Sequence, residues 1–199
     1  PVVIRVPVGG YIHGSLCHSQ SIDGYFTHLP GIIIMYPSNA EDAKMMLKTA
    51  CRINDPVLYL EHKGLYRQGY AATKEPDENA LSEIGRGKVV QKGNDVTIIS
   101  WGAMIQKSIE ASKESSSSVE IIDLRYLYPL DFDLIKKSVK KTSKVIIVHE
   151  DNLTNGFGAE IAARISDECF EYLDAPIKRV ASKDFPIAYA SELEEQILV

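Results

Sequence analysis

Apolar residues occur in short continuous runs that alternate with helix-spaced stripes along most of the chain. The first half contains three runs rich in Val, Ile and Leu, each of a length suited to one buried strand. These runs cover residues 1–6, 31–37 and 56–61. Glycines interrupt the pattern after the first run, and Ile22, Tyr25 and Phe26 then recur at helical spacing. The chain is therefore predicted to begin with a strand, a glycine loop and a helix.

A second helix is predicted between the second and third runs. Its apolar stripe follows the spacing i, i+3, i+4, i+7 and consists of Ala43, Met46, Leu47 and Ala50. Ser38 and Glu41 have the spacing of a capping box, in which the serine hydroxyl accepts from a backbone N–H of the first turn. We therefore predict that Ser38 caps this helix.

The hydrophobic pattern lapses between residues 68 and 80, where small and polar residues predominate. That composition is typical of a linker, so a domain boundary is predicted there. The second half alternates strands with helices. Strands are predicted at 95–100, 119–123, 144–149 and 177–181, and helices at 103–112, from 131, at 158–172 and from 191. This alternation predicts an α/β fold with parallel sheets covered by helices.

Composition and charge exclude several classes of protein. A chain of 199 residues with 45% hydrophobic and 25% charged residues falls in the globular range. Its net charge of −5 and its lack of a basic stripe argue against nucleic acid as a partner. No apolar run approaches the roughly 18 residues of a membrane span, so no membrane association is expected. Cys17, Cys51 and Cys169 are widely spaced and are expected to be reduced thiols.

Candidate chemistry is expected in the loops at the carboxyl ends of the strands, where open α/β sheets bind ligands. These loops follow Val6, Tyr36, Ser100, Asp123 and His149. The first is the most persuasive, because residues 9–21 combine a flexible backbone with His13, His18 and several hydroxyl and amide groups. An imidazole suits proton transfer near neutral pH. By residue type alone, an ordinary loop or core histidine is the preferred interpretation of both, because histidines are common in glycine loops without a catalytic role.

Two other motifs have simpler structural interpretations. Residues 156–160 resemble half of a dinucleotide fingerprint, but they lie near the end of the chain, so a close turn between strand and helix is the preferred interpretation. His149, Glu150 and Asp151 are adjacent at a strand end and do not converge as metal ligands would. For these three residues we predict a polar contact between domains.

Several ordered blocks resemble the beta subunit of thiamine-diphosphate-dependent 2-oxoacid dehydrogenases, the decarboxylating component of these complexes. The block with the most chemistry is His18-Ser19-Gln20-Ser21, which follows Ile4-Arg5 and Gly9-Gly10. The other blocks are Pro30-Gly31, Tyr36-Pro37-Ser38, Asp42-Ala43-Lys44, Asp55-Pro56-Val57, Leu65-Tyr66-Arg67, 87–90, 123–125, 129–131 and 156–161. They follow the family's order and cover nearly the whole chain.

The resemblance implies a fold and a reaction. Residues 1–67 would be the later half of a pyrimidine-binding, parallel-sheet domain, 68–80 a linker, and 81–199 a transketolase carboxy-terminal-like three-layer α/β domain. The reaction is decarboxylation of a 2-oxoacid, such as pyruvate or a branched-chain acid, followed by transfer of the acyl group to lipoyl. The family's active-site histidine corresponds to His18, whereas His13 is expected nearby but away from the reacting atoms.

The resemblance also implies cofactors and partners. Thiamine diphosphate and magnesium are expected to be bound mainly by residues outside this chain. The family's potassium site, built mainly from backbone carbonyls, corresponds to Val2, Val3, Ala50, Ile53 and Asp55, and hard cations favour such oxygen ligands. Expected partners are an alpha subunit or alpha-like region, a second beta copy and the lipoyl-bearing acyltransferase core. The location would be the cytoplasm of a bacterium or the matrix of a eukaryotic organelle.

Alternatives remain open at this stage. A transketolase or a deoxyxylulose phosphate synthase would share both domains, and a non-catalytic assembly module would share the carboxy-terminal one. The first apolar run begins without a polar lead-in, so we expect the chain to be part of a longer protein and to be inactive by itself. The same incompleteness leaves the choice of 2-oxoacid open.

Overall fold

The computed structural model describes all residues from 1 to 199, arranged as nine strands and seven α-helices. The strands are β1 (Val2–Val8), β2 (Ile33–Met35), β3 (Pro56–His62), β4 (Lys88–Gln91), β5 (Val96–Ser100), β6 (Val119–Asp123), β7 (Tyr126–Tyr128), β8 (Val145–Asn152) and β9 (Lys178–Ser182). The helices are α1 (Ser15–His18), α2 (Asp23–Thr27), α3 (Ala40–Ala50), α4 (Met104–Glu114), α5 (Phe132–Thr142), α6 (Phe157–Glu168) and α7 (Ser191–Ile197).

The first sheet has the strand order β1-β3-β2-β7. The strands β1, β3 and β2 are parallel, whereas β7 pairs with β2 in the antiparallel direction. Strand β1 lies at the edge of this sheet, with Val2 52% exposed and Ile4 51% exposed. Because the first three strands are parallel, their carboxyl ends lie at the same edge of the sheet.

The second sheet has the order β4-β6-β5-β8-β9 and is parallel except for β4. Helix α4 packs against it in an apolar cluster that includes Ile98 and Ile121. Helices α5 and α6 pack in another cluster with Ile99 and Ile147, which point to the opposite face because side chains alternate along a strand. The arrangement confirms the predicted three-layer α/β architecture.

One hydrophobic cluster joins the two sheets. It contains 19 buried residues, including Ile34 and Leu58 from the first sheet and Ile99 and Ile122 from the second. Burying such side chains contributes roughly 1.5–3 kcal/mol each, so separating the sheets would expose a substantial apolar surface. The ends of the first sheet's strands are thereby held against the second sheet.

Two strands were not predicted from the sequence, and one helix cap was predicted wrongly. The unpredicted strands, β4 and β7, have four and three residues, too few for a recognisable period. The side chain of Asn39, rather than Ser38, caps α3 by accepting from Asp42 N at 2.9 Å. Ser38 instead donates its hydroxyl to Asp123 Oδ2 at 2.5 Å, a buried contact that the local pattern could not reveal.

Most of the predicted elements occur close to their expected positions. Asp131 caps α5 by accepting from Leu134 N, in agreement with the helix predicted from residue 131. Helix α6 ends at Glu168, and a 3₁₀ turn over Phe170–Tyr172 completes the segment predicted as one helix. No helix in the structure combines the length and the apolar character needed to cross a membrane.

Candidate active site

The glycine loop, residues 9–21, connects β1 to α2 and contains the single turn α1. Its two ends meet, because Gly9 N–H donates to the carbonyl of Gln20 at 3.0 Å. Inside the loop, Gly14 N–H donates to Ser19 Oγ at 2.9 Å. Gly9 has a φ of +89°, in the region that favours glycine, so the sharp exit from β1 requires this residue type.

The carboxy-terminal helix supports the first part of the glycine loop. Tyr11 and His13 adopt left-handed φ angles of 61° and 54°, which non-glycine residues rarely adopt. Glu194 of α7 contacts both, accepting from Tyr11 N at 3.2 Å and lying 2.8 Å from His13 Nδ1. The Tyr11 hydroxyl donates to the Val199 carbonyl at 2.5 Å. This uncommon backbone conformation is therefore fixed by contacts from the last residues of the chain.

His18 is the last residue of α1 and its side chain is exposed, with no hydrogen-bonding partner in the chain. Its backbone carbonyl accepts from Lys63 Nζ, which joins the loop to the end of β3. Burial lowers the pKa of the Lys63 ammonium. The backbone around His18 is thus held in place while its imidazole faces solvent at the carboxyl end of the first sheet.

A buried carboxylate from the second sheet contacts the glycine loop at both ends. Glu150, in β8, accepts from Gly10 N at 2.6 Å and from Ser21 Oγ at 3.3 Å. The same carboxylate lies 2.5 Å from Nε2 of His62, the last residue of β3. Both side chains are almost completely buried. Glu150 therefore joins three segments of the first half of the chain to the second sheet.

Two further carboxyl groups lie at the same junction. Asp23 Oδ2 accepts from Trp101 Nε1 at 2.8 Å, whereas its Oδ1 is buried without a partner. Asp151 Oδ2 accepts from Gly24 N at 2.9 Å. Burial, followed by the negative charge of Asp151, raises the pKa of Asp23 to about 8. Burial also raises the pKa of Asp151, so this environment favours a proton on Asp23.

The predicted polar contact between domains is confirmed for Glu150 and Asp151 and is wrong for His149. The His149 ring is stacked on Trp101, with centroids 5.4 Å apart and planes at 4°, and neither ring nitrogen has a partner. Burial, followed by the charge of Arg179, lowers the pKa of His149 to about 4. His149 behaves as a neutral packing residue because the sheet buries it against an aromatic ring.

The glycines of the half fingerprint pack against that ring. A Cβ at Gly156 would lie 2.5 Å from His149 Cε1, and a Cβ at Gly158 would lie 2.4 Å from His149 Cδ2. Real Cβ atoms do not approach other atoms so closely. The two glycines therefore permit the close turn between β8 and α6, as predicted in preference to a phosphate site.

A groove of about 650 Å³ opens beside His62. It lies at the carboxyl ends of β2 and β3 and is also bordered by residues 65–69, 71 and 72. Glu61, in its wall, bonds Arg5 and the Tyr66 hydroxyl. Burial opposes ionisation of Glu61, but these hydrogen bonds outweigh it and lower its pKa. The volume falls within the range of small-molecule sites, and the position is the edge where open sheets bind ligands.

The residues predicted for potassium lie near one another along the first sheet. Val3 and Ile53 pack against the apolar cluster that contains Ala50. The register pairs Val2 with Pro56, so Asp55 lies next to the amino end of β1. Ala50 is the last residue of α3, where helix carbonyls lack partners within the helix. The structure thus brings these residues together, and potassium remains a prediction.

Acidic side chains at this junction are already engaged by protein donors. No group of three or more His, Cys, Asp or Glu side chains is arranged to hold a metal ion. The side chains present do not by themselves fit a magnesium-bound diphosphate.

His62, Trp101 and Asp23 were missed by the sequence analysis. His62 could have been found, because it ends β3, the one predicted strand of the first sheet whose following loop was not considered.

Comparison with known families identifies the class. The sequence profile described as "Transketolase, C-terminal domain" matches residues 85–199, and that described as "Transketolase, pyrimidine binding domain" matches residues 1–68. The chain therefore belongs to the transketolase C-terminal domain family and has a pyrimidine-binding-domain segment before it. This agrees with the fold and with the position of the candidate site between the two sheets.

The relatives place the chain more narrowly. The beta subunit of 2-oxoisovalerate dehydrogenase from Bacillus subtilis is 40% identical over 203 residues, which cover 100% of this chain and 62% of that subunit. The beta subunits of the pyruvate dehydrogenase E1 component from Staphylococcus epidermidis and Staphylococcus aureus are 39% and 40% identical over 198 residues, covering 97% of this chain and 60% of each subunit. These matches confirm the resemblance to beta subunits of 2-oxoacid dehydrogenases.

A solved structure supports the same fold. The structure described as "Split gene transketolase, inactive beta4 tetramer" superposes with a TM-score of 0.76 and 25% identity, over 98% of this chain and 61% of that one. The chain thus spans between 60% and 62% of the curated relatives described above.

Proposed function

We propose that this chain is the beta-type part of the decarboxylating component of a 2-oxoacid dehydrogenase. The reaction would be oxidative decarboxylation of pyruvate or a branched-chain 2-oxoacid with acyl transfer to lipoyl. The observation that supports it is the near-complete alignment with beta subunits of both enzymes at about 40% identity. The branched-chain and pyruvate relatives are equally similar, so the proposal names the class of 2-oxoacid rather than one acid.

His18 is proposed to act in the site. Its exposed imidazole lies at the carboxyl end of the first sheet, on a turn whose backbone is held by Lys63. An imidazolium can donate a proton to a developing anion or to the sulfur of an opening disulfide at neutral pH. Thiamine diphosphate, when bound, would stabilise the negative charge left by decarboxylation. The residues of this chain would hold the backbone of His18 in place, through the bond from Lys63 to its carbonyl.

Partners are proposed on the same basis. Because the relatives are named as beta subunits, we expect an alpha subunit or alpha-like region as a partner. Thiamine diphosphate with magnesium would be held mainly by residues outside this chain. A second beta copy and a lipoyl-bearing acyltransferase core complete the proposed assembly. The structural neighbour, described as an inactive tetramer of beta chains, supports the expectation that a beta-type chain alone does not turn over.

The test compares the intact parent protein with this chain. Purified parent is assayed for decarboxylation of pyruvate, branched-chain 2-oxoacids and acetoin, with and without thiamine diphosphate and magnesium. We expect thiamine-dependent turnover of at least one 2-oxoacid by the parent and none by the chain alone. Ketol transfer between sugar phosphates would instead support a transketolase or deoxyxylulose phosphate synthase. Binding to the acyltransferase core without any turnover would support an assembly module.

Potassium is proposed as a structural ion at Val2, Val3, Ala50, Ile53 and Asp55. The support is the clustering of Val3, Ala50 and Ile53 beside the amino end of β1, together with the free carbonyls expected at the end of α3. Such an ion would connect the helix end to the edge of the first sheet and would act on stability rather than on chemistry.

A further inference from the structure

Glu150 accepts hydrogen bonds from three segments that are distant in sequence. Its donors are Gly10 N–H at the start of the glycine loop, Ser21 Oγ–H at its end, and His62 at the end of β3. Glu150 lies in the second sheet, whereas all three donors lie in the first half of the chain. A single buried carboxylate therefore contacts both ends of the loop, beside the bond that joins Gly9 to Gln20.

The protonation of His62 follows from its second partner. Gly64 N–H donates to His62 Nδ1 at 3.0 Å, so Nδ1 carries no proton. The proton must then be on Nε2, where it is donated to Glu150. The carboxylate accepts from Gly10 and Ser21 with Oε1 and from His62 with Oε2. A glutamine at position 150 has a single acceptor oxygen, so it cannot accept at both ends as the carboxylate does. Only an acceptor with two oxygens satisfies all three donors.

Steric contacts reinforce this arrangement. A Cβ at Gly9 would lie 2.2 Å from His62 Nε2, so the imidazole packs directly against the first residue of the loop. A Cβ at Gly10 would lie 2.5 Å from Leu198 Cδ1. The His62 ring therefore leaves no room for a side chain at Gly9, and Leu198 leaves none at Gly10.

We propose that Glu150 is a positioning residue, whose carboxylate holds both ends of the glycine loop and thereby places His18 for its role in the site. The proposal rests on the proposed function of His18. Glu150 does not touch the reacting groups, and it acts from the second sheet through the loop backbone. The second domain would thus contribute to the active site through a fixed contact.

The first test measures the loop itself in the intact parent protein. Hydrogen exchange is followed on peptides that cover residues 9–21 and 62–66 in wild type, Glu150→Gln and Glu120→Gln. Glu120 is a matched control, because it is a buried carboxylate of the same sheet that bonds Ser138 and Lys141 and does not touch the loop. We expect about tenfold faster exchange in both peptides for Glu150→Gln, the effect of losing about one hydrogen bond, and no change for Glu120→Gln.

The second test measures catalysis in the same protein. Glu150→Gln should slow lipoyl acylation more than decarboxylation read with an artificial electron acceptor, as expected for His18→Ala. In the double variant His18→Ala/Glu150→Gln, the losses in the rate of lipoyl acylation should not add, because both changes remove the same positioned imidazole. Additive losses, or unchanged exchange in Glu150→Gln, would overturn the proposal.

Two outcomes separate this proposal from the one on which it rests. If His18→Ala leaves both assays unchanged, the role of His18 fails, and with it the catalytic part of this proposal, whatever the loop does. If His18→Ala is impaired while Glu150→Gln retains wild-type exchange, only the positioning role fails.

Should Glu150→Gln not assemble, Ser21→Ala removes one loop contact while leaving the carboxylate its other two donors. The expected exchange effect is then in the same direction and confined to residues 9–21.

Discussion

The indole of Trp101 donates to the buried carboxyl group of Asp23 at 2.8 Å, which joins the end of β5 to the first residue of α2. The second oxygen of Asp23 has no partner, and Asp151 contributes a negative charge nearby. Burial and that charge raise the pKa of Asp23 to about 8, far above the usual value for an aspartate. Folding thus raises the pKa of this carboxyl group. At a pH where the group would ionise in the unfolded chain, keeping it protonated in the folded protein lowers the free energy of unfolding.

Asp23→Asn should therefore flatten the pH dependence of stability. The unfolded chain releases the Asp23 proton near its ordinary pKa, whereas the folded protein keeps it up to about pH 8. Wild type should lose stability as pH rises from about 4 to about 8, at up to about 1.4 kcal/mol per pH unit. Asparagine keeps the acceptor for Trp101 but has no proton to lose. Melting temperatures of the intact protein from pH 5 to 8 test this, and parallel curves for both proteins would contradict it.

Gly158→Ala should destabilise the protein, although alanine is the better helix former by about 1 kcal/mol. The new methyl group would meet the His149 ring at 2.4 Å, and that ring is fixed by its stack on Trp101. Overpacking of this kind typically costs about 1–3 kcal/mol, measured as the free energy of unfolding.

Two comparisons isolate the clash in Gly158→Ala. Gly69→Ala is the matched control, because a Cβ there has no atom within 4 Å and should cost little. In a His149→Ala background, Gly158→Ala should cost much less than in wild type. An equal cost in both backgrounds would mean that the ring is not the obstacle.

Long, periodic elements could be predicted from the sequence, because their own residues determine them. Helix α3 has its apolar stripe, and α5 begins at the position predicted, with Asp131 as its cap. Strand β7 could not be predicted, since its three residues are a strand only by pairing with β2. The cap of α3 could not be predicted for a similar reason. Ser38 donates to Asp123, a residue far away in sequence, and Asn39 accepts from the first turn of the helix instead.

The candidate site likewise has a local part that the sequence reveals and long-range contacts that it does not. The glycine loop was recognisable, because glycines and histidines at the end of a strand form a local pattern, whereas the choice of His18 within it rested on the family resemblance. The contacts of Glu150 with Gly10 span 140 positions and depend on how the second sheet packs on the first. The sequence analysis anticipated only that residues 149–151 would make polar contacts between domains, and it did not identify the partners of Glu150.

Potassium should stabilise the intact protein if the proposed site binds it. A ligand that binds only the folded state at ten to one hundred times its dissociation constant adds about 1.4–2.7 kcal/mol. Replacing potassium by choline at constant ionic strength should then lower the melting temperature. Asp55→Ala should reduce this dependence by removing a nearby negative charge, whereas the exposed Asp174→Ala should not. A melting temperature that is the same in both salts would remove potassium from the proposal.

His18→Ala, made in the intact parent, tests the central catalytic assignment. If His18 donates a proton or hydrogen bond during transfer to the lipoyl disulfide, the lipoyl-linked reaction should fall more than decarboxylation read by an artificial electron acceptor. A single positioned general acid is typically worth about 10²- to 10⁴-fold in rate. The structure adds that the fold should survive, because the imidazole is exposed and only the backbone carbonyl of His18 bonds Lys63.

The chemistry required of His18 is distinguished by a second substitution. Asparagine can donate a hydrogen bond but cannot transfer a proton to sulfur, so His18→Asn should match His18→Ala if proton transfer is essential. Recovery of the lipoyl-linked rate by His18→Asn would indicate that a neutral hydrogen bond is sufficient. The affinity for thiamine diphosphate should change little in either variant, because the glycine loop is not proposed to bind the diphosphate. Small and equal losses in both assays for His18→Ala would make His18 an ordinary exposed loop residue and end its assignment to catalysis.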